Sequence, residues 1–233
     1  MKDLNALVNP GRNATAPGGK YRWLRIPIRT PLIGAGDDIL SVARTWALPK
    51  LEPGDLLFLS EKAVACSQGR AIPMEEIRPR PLARFLSGFV TKTPHGIGLG
   101  IPETMEMALR ECGVPRILLA AAVGGLGRLL DVKGLFYRVA GRRAAAIDGP
   151  CPNTIPPYDR CVVLAPKEPD QVAQRVGKSL GCSVLIVDLN DLGGAILGAW
   201  PAGLNRAVLL EALAGNPLGQ CREQTPMGIL RKL

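Results

Sequence analysis

The chain has one histidine, His95, and aromatic residues make up only 4% of its 233 residues. A single imidazole excludes a Cys2His2 structural zinc site, and no Cys-x-x-Cys pair offers an alternative. It also leaves no Ser-His-Asp or Cys-His arrangement, because His95 has no partner assignable from spacing. So few rings argue against the stacking platforms of single-strand nucleic-acid binders, and the core must be built from Leu, Val, Ile and Ala. No apolar run is long enough to cross a bilayer: the longest, 117–127, is bounded by Arg116 and Arg128. The opening Met1-Lys-Asp-Leu-Asn-Ala lacks the apolar segment of a secretory peptide. The expectation is a cytoplasmic protein with no membrane partner.

Hydrophobic residues reach 47%, which fits a globular chain with a sizeable core. The six cysteines, Cys66, Cys112, Cys151, Cys161, Cys182 and Cys221, are scattered, and several, such as Cys161 and Cys182, sit beside apolar residues; buried thiols in a reducing compartment are the simpler expectation than disulfides. The net charge of +9 is carried mainly by arginine and spread along the whole chain. Such a chain attracts phosphate-bearing partners. Spread charge with few aromatics favours an anionic small molecule or nucleotide over nucleic acid.

Residues 1–20 end in Ala-Pro-Gly-Gly-Lys and read as a flexible N-terminal arm, followed by one unit over 21–233 that is either single or two joined lobes. Tyr21–Ile28 alternates like a strand, with Pro27 placing it at an edge. A helix opens at Asp37 or Asp38. Glu52-Pro-Gly-Asp55 turns into a strand over Leu56–Ser60, and 79–89 and 102–113 read as helices. The runs 116–122, Leu135–Ala140, 143–148 and 161–165 read as strands. Helices are expected at 170–180 and 205–214, with Asn205 capping the second. Without a regular βαβ rhythm, the fold class is α+β: mixed sheets with packed helices.

The densest chemistry lies in Val184-Leu-Ile-Val-Asp188-Leu-Asn-Asp191, followed by Leu-Gly-Gly194. A β-branched run there delivers carboxylates to the open end of a strand. Asp148 closes a second apolar run in the same way. Two strands tipped by Asp suit a hard divalent cation such as Mg²⁺ or Mn²⁺; from the residues alone, turn-forming Asp before glycine is the commoner pattern. Three loops add polar groups. One runs from Ser60-Glu-Lys62 to Gly69-Arg70 and offers cations to a phosphate or a solvated ion pair. The second, 91–103, alternates glycines before a helix start but lacks the P-loop pattern, and its His95 is an acid–base candidate or a surface residue. The third, 216–225, is rich in amides and turn residues, and reads as a surface turn or as a loop folded over a site.

Four segments in this order resemble the coenzyme F-420 gamma-glutamyl ligase family. They are Thr30-Pro-Leu-Ile-Gly-Ala-Gly-Asp-Asp38, then Pro53-Gly-Asp-Leu-Leu-Phe-Leu-Ser-Glu-Lys62 with Gln68-Gly-Arg70, then Ala146-Ile-Asp148, and lastly Val184-Leu-Ile-Val-Asp188. Val163-Leu-Ala-Pro-Lys-Glu-Pro-Asp170 looks like the family's segment between its aspartate motifs. The resemblance implies a two-lobed α+β homodimer, a ligase that joins glutamate to an anionic deazaflavin precursor through a γ-linked amide, with GTP as co-substrate and Mn²⁺ or Mg²⁺ as cofactor. On it, Asp148 and Asp188 are metal ligands with Asp191 assisting. Thr30, Pro31, Leu32 and Ile33 line the nucleotide, with Glu61, Lys62 and Arg70 close by. No residue is assigned a catalytic role. The chain departs from the family pattern at Cys66, Ala144, Cys151 and Leu189, where the family has Lys, Asn, Asn and Thr. The alternative expectation is a non-catalytic nucleotide or small-anion binding protein on the same scaffold.

Overall fold

The computed structural model describes residues 8–90, 97–132 and 134–233. The chain divides into two units: unit 1 is built from its first 69 residues and Pro166–Leu233, and unit 2 is Arg70–Ala165, inserted between those two parts.

Unit 1 is built on a mixed six-stranded sheet. Its strands in chain order are β1 (Thr15–Gly18), β2 (Tyr21–Ile28), β3 (Leu56–Ser60), β6 (Ser183–Asn190), β7 (Gly193–Trp200) and β8 (Met227–Lys232), and their spatial order is β1-β2-β8-β3-β6-β7. The β3–β6 pair is parallel, with Ser60 opposite Val187, and its other neighbours are antiparallel. The helices of this unit are α1 (Ile39–Trp46), α2 (Glu61–Ser67), α8 (Pro169–Leu180) and α9 (Arg206–Leu213). Side chains alternate across the sheet. Leu57, Leu59, Val184 and Ile186 pack with residues of α1, α2 and α8, while Leu56, Phe58, Leu185 and Val187 pack with α9. Both faces are covered, so β3 and β6 read as unbroken apolar runs rather than alternating ones.

Local signals set the element ends. Asp38 caps α1, its carboxylate accepting from the Leu40 and Ser41 amides, and Asn205 caps α9 through the Val208 amide. Arg231 fixes the turn before β3 by bonding Asp55 and Glu52. Pro27 is less of an edge residue than expected, because β2 lies between β1 and β8. It is tolerated because β1 begins with Thr15 opposite Leu24 and does not reach alongside Pro27, leaving that side of Pro27 without a ladder partner. Of the 1–20 segment, Thr15–Gly18 form β1, and Asn9 is buried with its amide donating to the Pro217 carbonyl and the Thr225 hydroxyl, while residues 1–7 lie outside the described residues.

Unit 2 is mostly helical. It contains β4 (Ala71–Pro73), α3 (Pro81–Ser87), α4 (Pro102–Cys112), α5 (Val114–Leu129), α6 (Leu135–Ala140), α7 (Arg142–Ala145) and β5 (Cys161–Val163), with β4 and β5 paired antiparallel. Its core gathers Ile77, Leu99, Met105, Leu109, Ile117, Ile147 and Val162. Here three strand expectations are corrected. Residues 116–122 belong to α5, Leu135–Ala140 is α6, and 143–148 is α7 followed by a single bridge from Asp148 to Val163. Short apolar windows carry no usable period, and the 16-residue length of α5 decides for helix. Residues 161–165 do contain a strand, β5. No single helix among the described residues is long and apolar enough to span a membrane; α4 and α5 meet that measure only jointly, bent by 119°.

One ion cluster anchors this core. Glu106, 1% exposed, accepts from Arg80 and Arg110. Burial pushes its carboxyl up, but the two guanidinium bonds outweigh that and hold it at about 2. Glu106→Gln leaves two arginines facing a neutral amide and is expected to cost about 3 kcal/mol at neutral pH. The folded value lies below the ordinary 4.5, so this stabilisation is complete above that value and is lost as pH falls towards 2. Denaturant titrations of both proteins across that range should show the gap between them closing with acid; a constant gap would contradict the assignment.

Candidate functional site

The sheet register of unit 1 collects the candidate residues on one edge. Ile28 of β2 faces Met227 of β8, Met227 faces Leu59 of β3, and Ser60 faces Val187 of β6. The carboxyl ends of β2, β3 and β6 therefore finish side by side, next to the start of β8. The 30–33 loop leaves β2 there, Glu61 and Lys62 open α2 directly after β3, and Asp188 sits near the end of β6. This is the crevice position in which open α/β sheets bind ligands, outside the carboxyl ends of their strands.

Each part is held by identifiable bonds. Thr30 is buried and its hydroxyl donates to the Pro31 carbonyl. Gln224 bonds Thr30 twice: its side-chain amide donates to the Thr30 carbonyl at 2.8 Å, and its own carbonyl accepts from the Thr30 N–H. The Ser60 N–H donates to the Pro226 carbonyl at 2.8 Å. Asp37 and Asp38 fix the far end of the 30–33 loop, Asp37 by accepting from the Gly34 N–H and Asp38 through Arg175. Pro31 and Leu32 are exposed while Ile33 is buried, so the loop shows one apolar surface outward and pins the other inward. Glu61 is buried at the start of α2 and Lys62 is exposed beside it.

Asp188 is half-buried, with Ala195 opposite it on β7. Leu189, the next residue, lies across Gly194 of β7, where an added β-carbon would collide with its side chain. Asp191 is exposed and held by Arg12 at 2.6 Å, a bond that a third metal ligand would have to exchange. Asp148 and Arg70 belong to unit 2. Asp148 is half-buried, its backbone exchanging two 2.9 Å hydrogen bonds with Val163. The Arg70 guanidinium is 8% exposed and donates to the Ala165 carbonyl and to Glu111, which makes it a brace for its own unit. Within each unit, no three Cys, His, Asp or Glu side chains among the described residues form a metal-binding group. The expectation at His95 lies outside the described residues.

Sequence reasoning missed Arg12 and Gln224. Arg12 stands in a segment without periodicity. Gln224 lies in the amide-rich 216–225 loop, where composition marked the loop but not the residue; its φ of +57°, unusual for a side chain this long, appears only in three dimensions.

A family model described as F420-0:Gamma-glutamyl ligase matches residues 27–191. The chain belongs to that family. The match begins in β2, contains all of unit 2 and ends on Asp191, so it takes in the 30–33 loop, Glu61, Lys62, Asp148 and Asp188. β8 and the Gln224 contact lie beyond it. No curated protein matches the chain at a significant level.

If Gln224 holds the 30–33 loop, Gln224→Ala should leave the fold intact while the Thr30 amide exchanges about fivefold faster, the loss of roughly 1 kcal/mol of hydrogen bonding. Hydrogen exchange read at 30–34 against the α8 amides checks this; unchanged protection at Thr30 would assign the loop's order elsewhere.

Proposed function

We propose that this gamma-glutamyl ligase family member uses GTP and a divalent cation to form an amide bond between glutamate and an anionic carboxylate-bearing acceptor. The observation that carries the reading is the convergence, on one sheet edge of unit 1, of the 30–33 loop, Glu61 and Lys62, and Asp188. Ligation of this kind needs the acceptor carboxylate activated as an acyl phosphate, after which the glutamate amine attacks the carbonyl carbon and phosphate leaves. The exposed Pro31 and Leu32 offer a nucleoside an apolar bed, and Lys62 brings an ammonium to the phosphates. The half-buried carboxylate of Asp188 is a hard oxygen donor of the type Mg²⁺ and Mn²⁺ take and would hold the cation, which when bound would supply charge neutralisation to the transferred phosphoryl group. Arg70 and Asp191 are left to their partners Glu111 and Arg12.

A second reading, nucleotide or anion binding without turnover, is favoured by particular side chains. Cys66 is buried inside α2 where the family has a lysine, and Leu189 replaces a hydroxyl next to Asp188. Each removes a polar contact of roughly 1 kcal/mol or more from phosphate or metal.

Calorimetric titration of GTP and ATP with and without Mn²⁺ tests both. Metal-dependent GTP binding is expected, weakened at least tenfold in Asp188→Asn. Glutamate-dependent phosphate release with a deazaflavin carboxylate then separates the readings: turnover establishes the ligase, and tight binding without turnover establishes the second. Absence of nucleotide binding under every condition sinks the ligase and leaves the second reading only as binding of a small anion.

A further inference from the structure

Two segments outside the 27–191 family match, one near each end of the chain, meet beside the candidate site. Residues 215–225 form a closed loop between α9 and β8. The Thr225 hydroxyl donates to the Leu218 carbonyl at 2.6 Å, and the buried Asn216 amide donates to the Gly219 carbonyl at 2.7 Å. A loop packed on its own polar groups in this way moves as one body. Two of its residues, Asn216 (φ +45°) and Gln224 (φ +57°), hold left-handed backbone without being glycine. Such backbone persists only where the surroundings over-determine it. At Gln224, the second of these positions, the loop takes hold of Thr30 through two hydrogen bonds.

The surroundings that fix the loop include the N-terminal segment. Asn9-Pro-Gly-Arg12 is a tight turn, closed by the Arg12 N–H on the Asn9 carbonyl at 3.0 Å with Gly11 at φ +73°. Both ends of the turn grip the loop. The buried Asn9 amide donates to the Pro217 carbonyl and the Thr225 hydroxyl, joining the two arms of the loop. The Arg12 guanidinium donates through one nitrogen to the Gly215 carbonyl at 3.2 Å and to Asp191 at 2.6 Å. It thereby fastens the loop to the chain just past β6. We propose that Arg12 is a positioning residue for the nucleotide: it sets the 215–225 loop, which through Gln224 sets Thr30 and the exposed Pro31–Leu32 surface. This rests on the GTP site proposed above, and it gives Asp191 the part of an anchor. Fold stability does not account for the ion pair. Asp191 is 51% exposed, and exposed pairs add little to folding. Arg12 also stands close enough to the buried Arg25 to lower that residue's affinity for the proton, so its charge burdens the core rather than bracing it.

Arg12→Met removes both bonds and keeps the apolar bulk of the stem. The melting temperature should hold. The Thr30 amide, read by hydrogen exchange without ligands, should exchange about fivefold faster, and the Kd for GTP with Mn²⁺ should rise by about the same factor. Asp191→Asn, at an exposed position, should move both readouts the same way and by less. Because Arg12 acts through Gln224, the double variant Arg12→Met/Gln224→Ala should bind GTP no more weakly than Gln224→Ala alone. Wild-type exchange at Thr30 in Arg12→Met overturns the proposal, and so do additive losses in the double variant. Weaker GTP binding in Asp191→Asn with Thr30 exchange unmoved also overturns it, by assigning Asp191 to the cation. A wild-type protein that binds no GTP strikes the nucleotide reading, and the role of Arg12 with it. GTP binding with Thr30 exchange unmoved in Arg12→Met strikes Arg12 alone.

Discussion

The parallel pairing of β3 with β6 joins two strands between which all of unit 2 is inserted, and the layout of unit 1 depends on it. Bringing Ser60 opposite Val187 closes a very long loop, and that closure entropy must be recovered by the contacts it permits. Burial of both strands on both faces supplies the recovery, with Leu57, Leu59, Val184 and Ile186 on one side and Phe58, Leu185 and Val187 on the other. The chain's exits are tied as well. The Gln68 side-chain amide donates to the Lys167 carbonyl and accepts from the Lys167 N–H, bracing the points where unit 1 is left and re-entered. Within unit 2, Arg70 and Leu164 form a backbone hydrogen bond, and the Arg70 side chain reaches Ala165. Parallel pairing has a direct functional consequence: it puts the ends of β3 and β6, and so Glu61, Lys62 and Asp188, on the same edge.

What the sequence disclosed follows from how each segment is surrounded. β2, β3, β6, α1, α3, α4, α8 and α9 carry caps, turn residues or clear periodicity, and were legible. α5 was not, because a helix that is apolar on its buried and exposed sides alike shows no period in a short window. β7 hid behind its glycines. Gly193-Gly194 reads as a flexible loop, but Gly198 is glycine for packing: a β-carbon there would strike the backbone of Pro169 at the start of α8. β1 was lost in a stretch of Pro, Gly and small residues whose strand character comes from pairing with β2 rather than from its own propensity.

The candidate site was legible to the extent that it consists of loops at strand ends. Residue type at strand ends singled out Glu61, Lys62 and Asp188, the family resemblance added the 30–33 loop, and the sheet register gathers them. Competition between partners was not legible. Arg70 and Asp191 have the residue types that phosphate and metal ask for, yet Glu111 and Arg12 stand against them. Nothing in a linear sequence reports that a charge is already engaged. The positions of Cys66 and Leu189 are likewise clearer in space: Cys66 is buried in α2, and the leucine lies over Gly194.

The same competition changes the meaning of the +9 charge. In the sequence it reads as an attraction for polyanions, but many of the arginines are architectural. Arg25 is 2% exposed and donates to the Asn13 and Ala214 carbonyls; burial and the neighbouring Arg12 charge pull its affinity for the proton down. Arg70, Arg80, Arg110 and Arg231 are spent on Glu111, Glu106, Asp55 and Glu52. Arg116 and Arg128 close onto backbone carbonyls. A guanidinium already in a bidentate or buried bond must break it before it can serve a ligand, at a cost comparable to the new contact. Anion recognition on this scaffold therefore depends on where its cations stand rather than on how many the chain carries. Lys62 stands beside Asp188's strand, and the exposed Arg29 directly precedes the 30–33 loop. Both border the edge where β2, β3 and β6 end, where the carboxylates of Glu61 and Asp188 also stand, so the local field is set by this handful of charges rather than by the total charge of the chain.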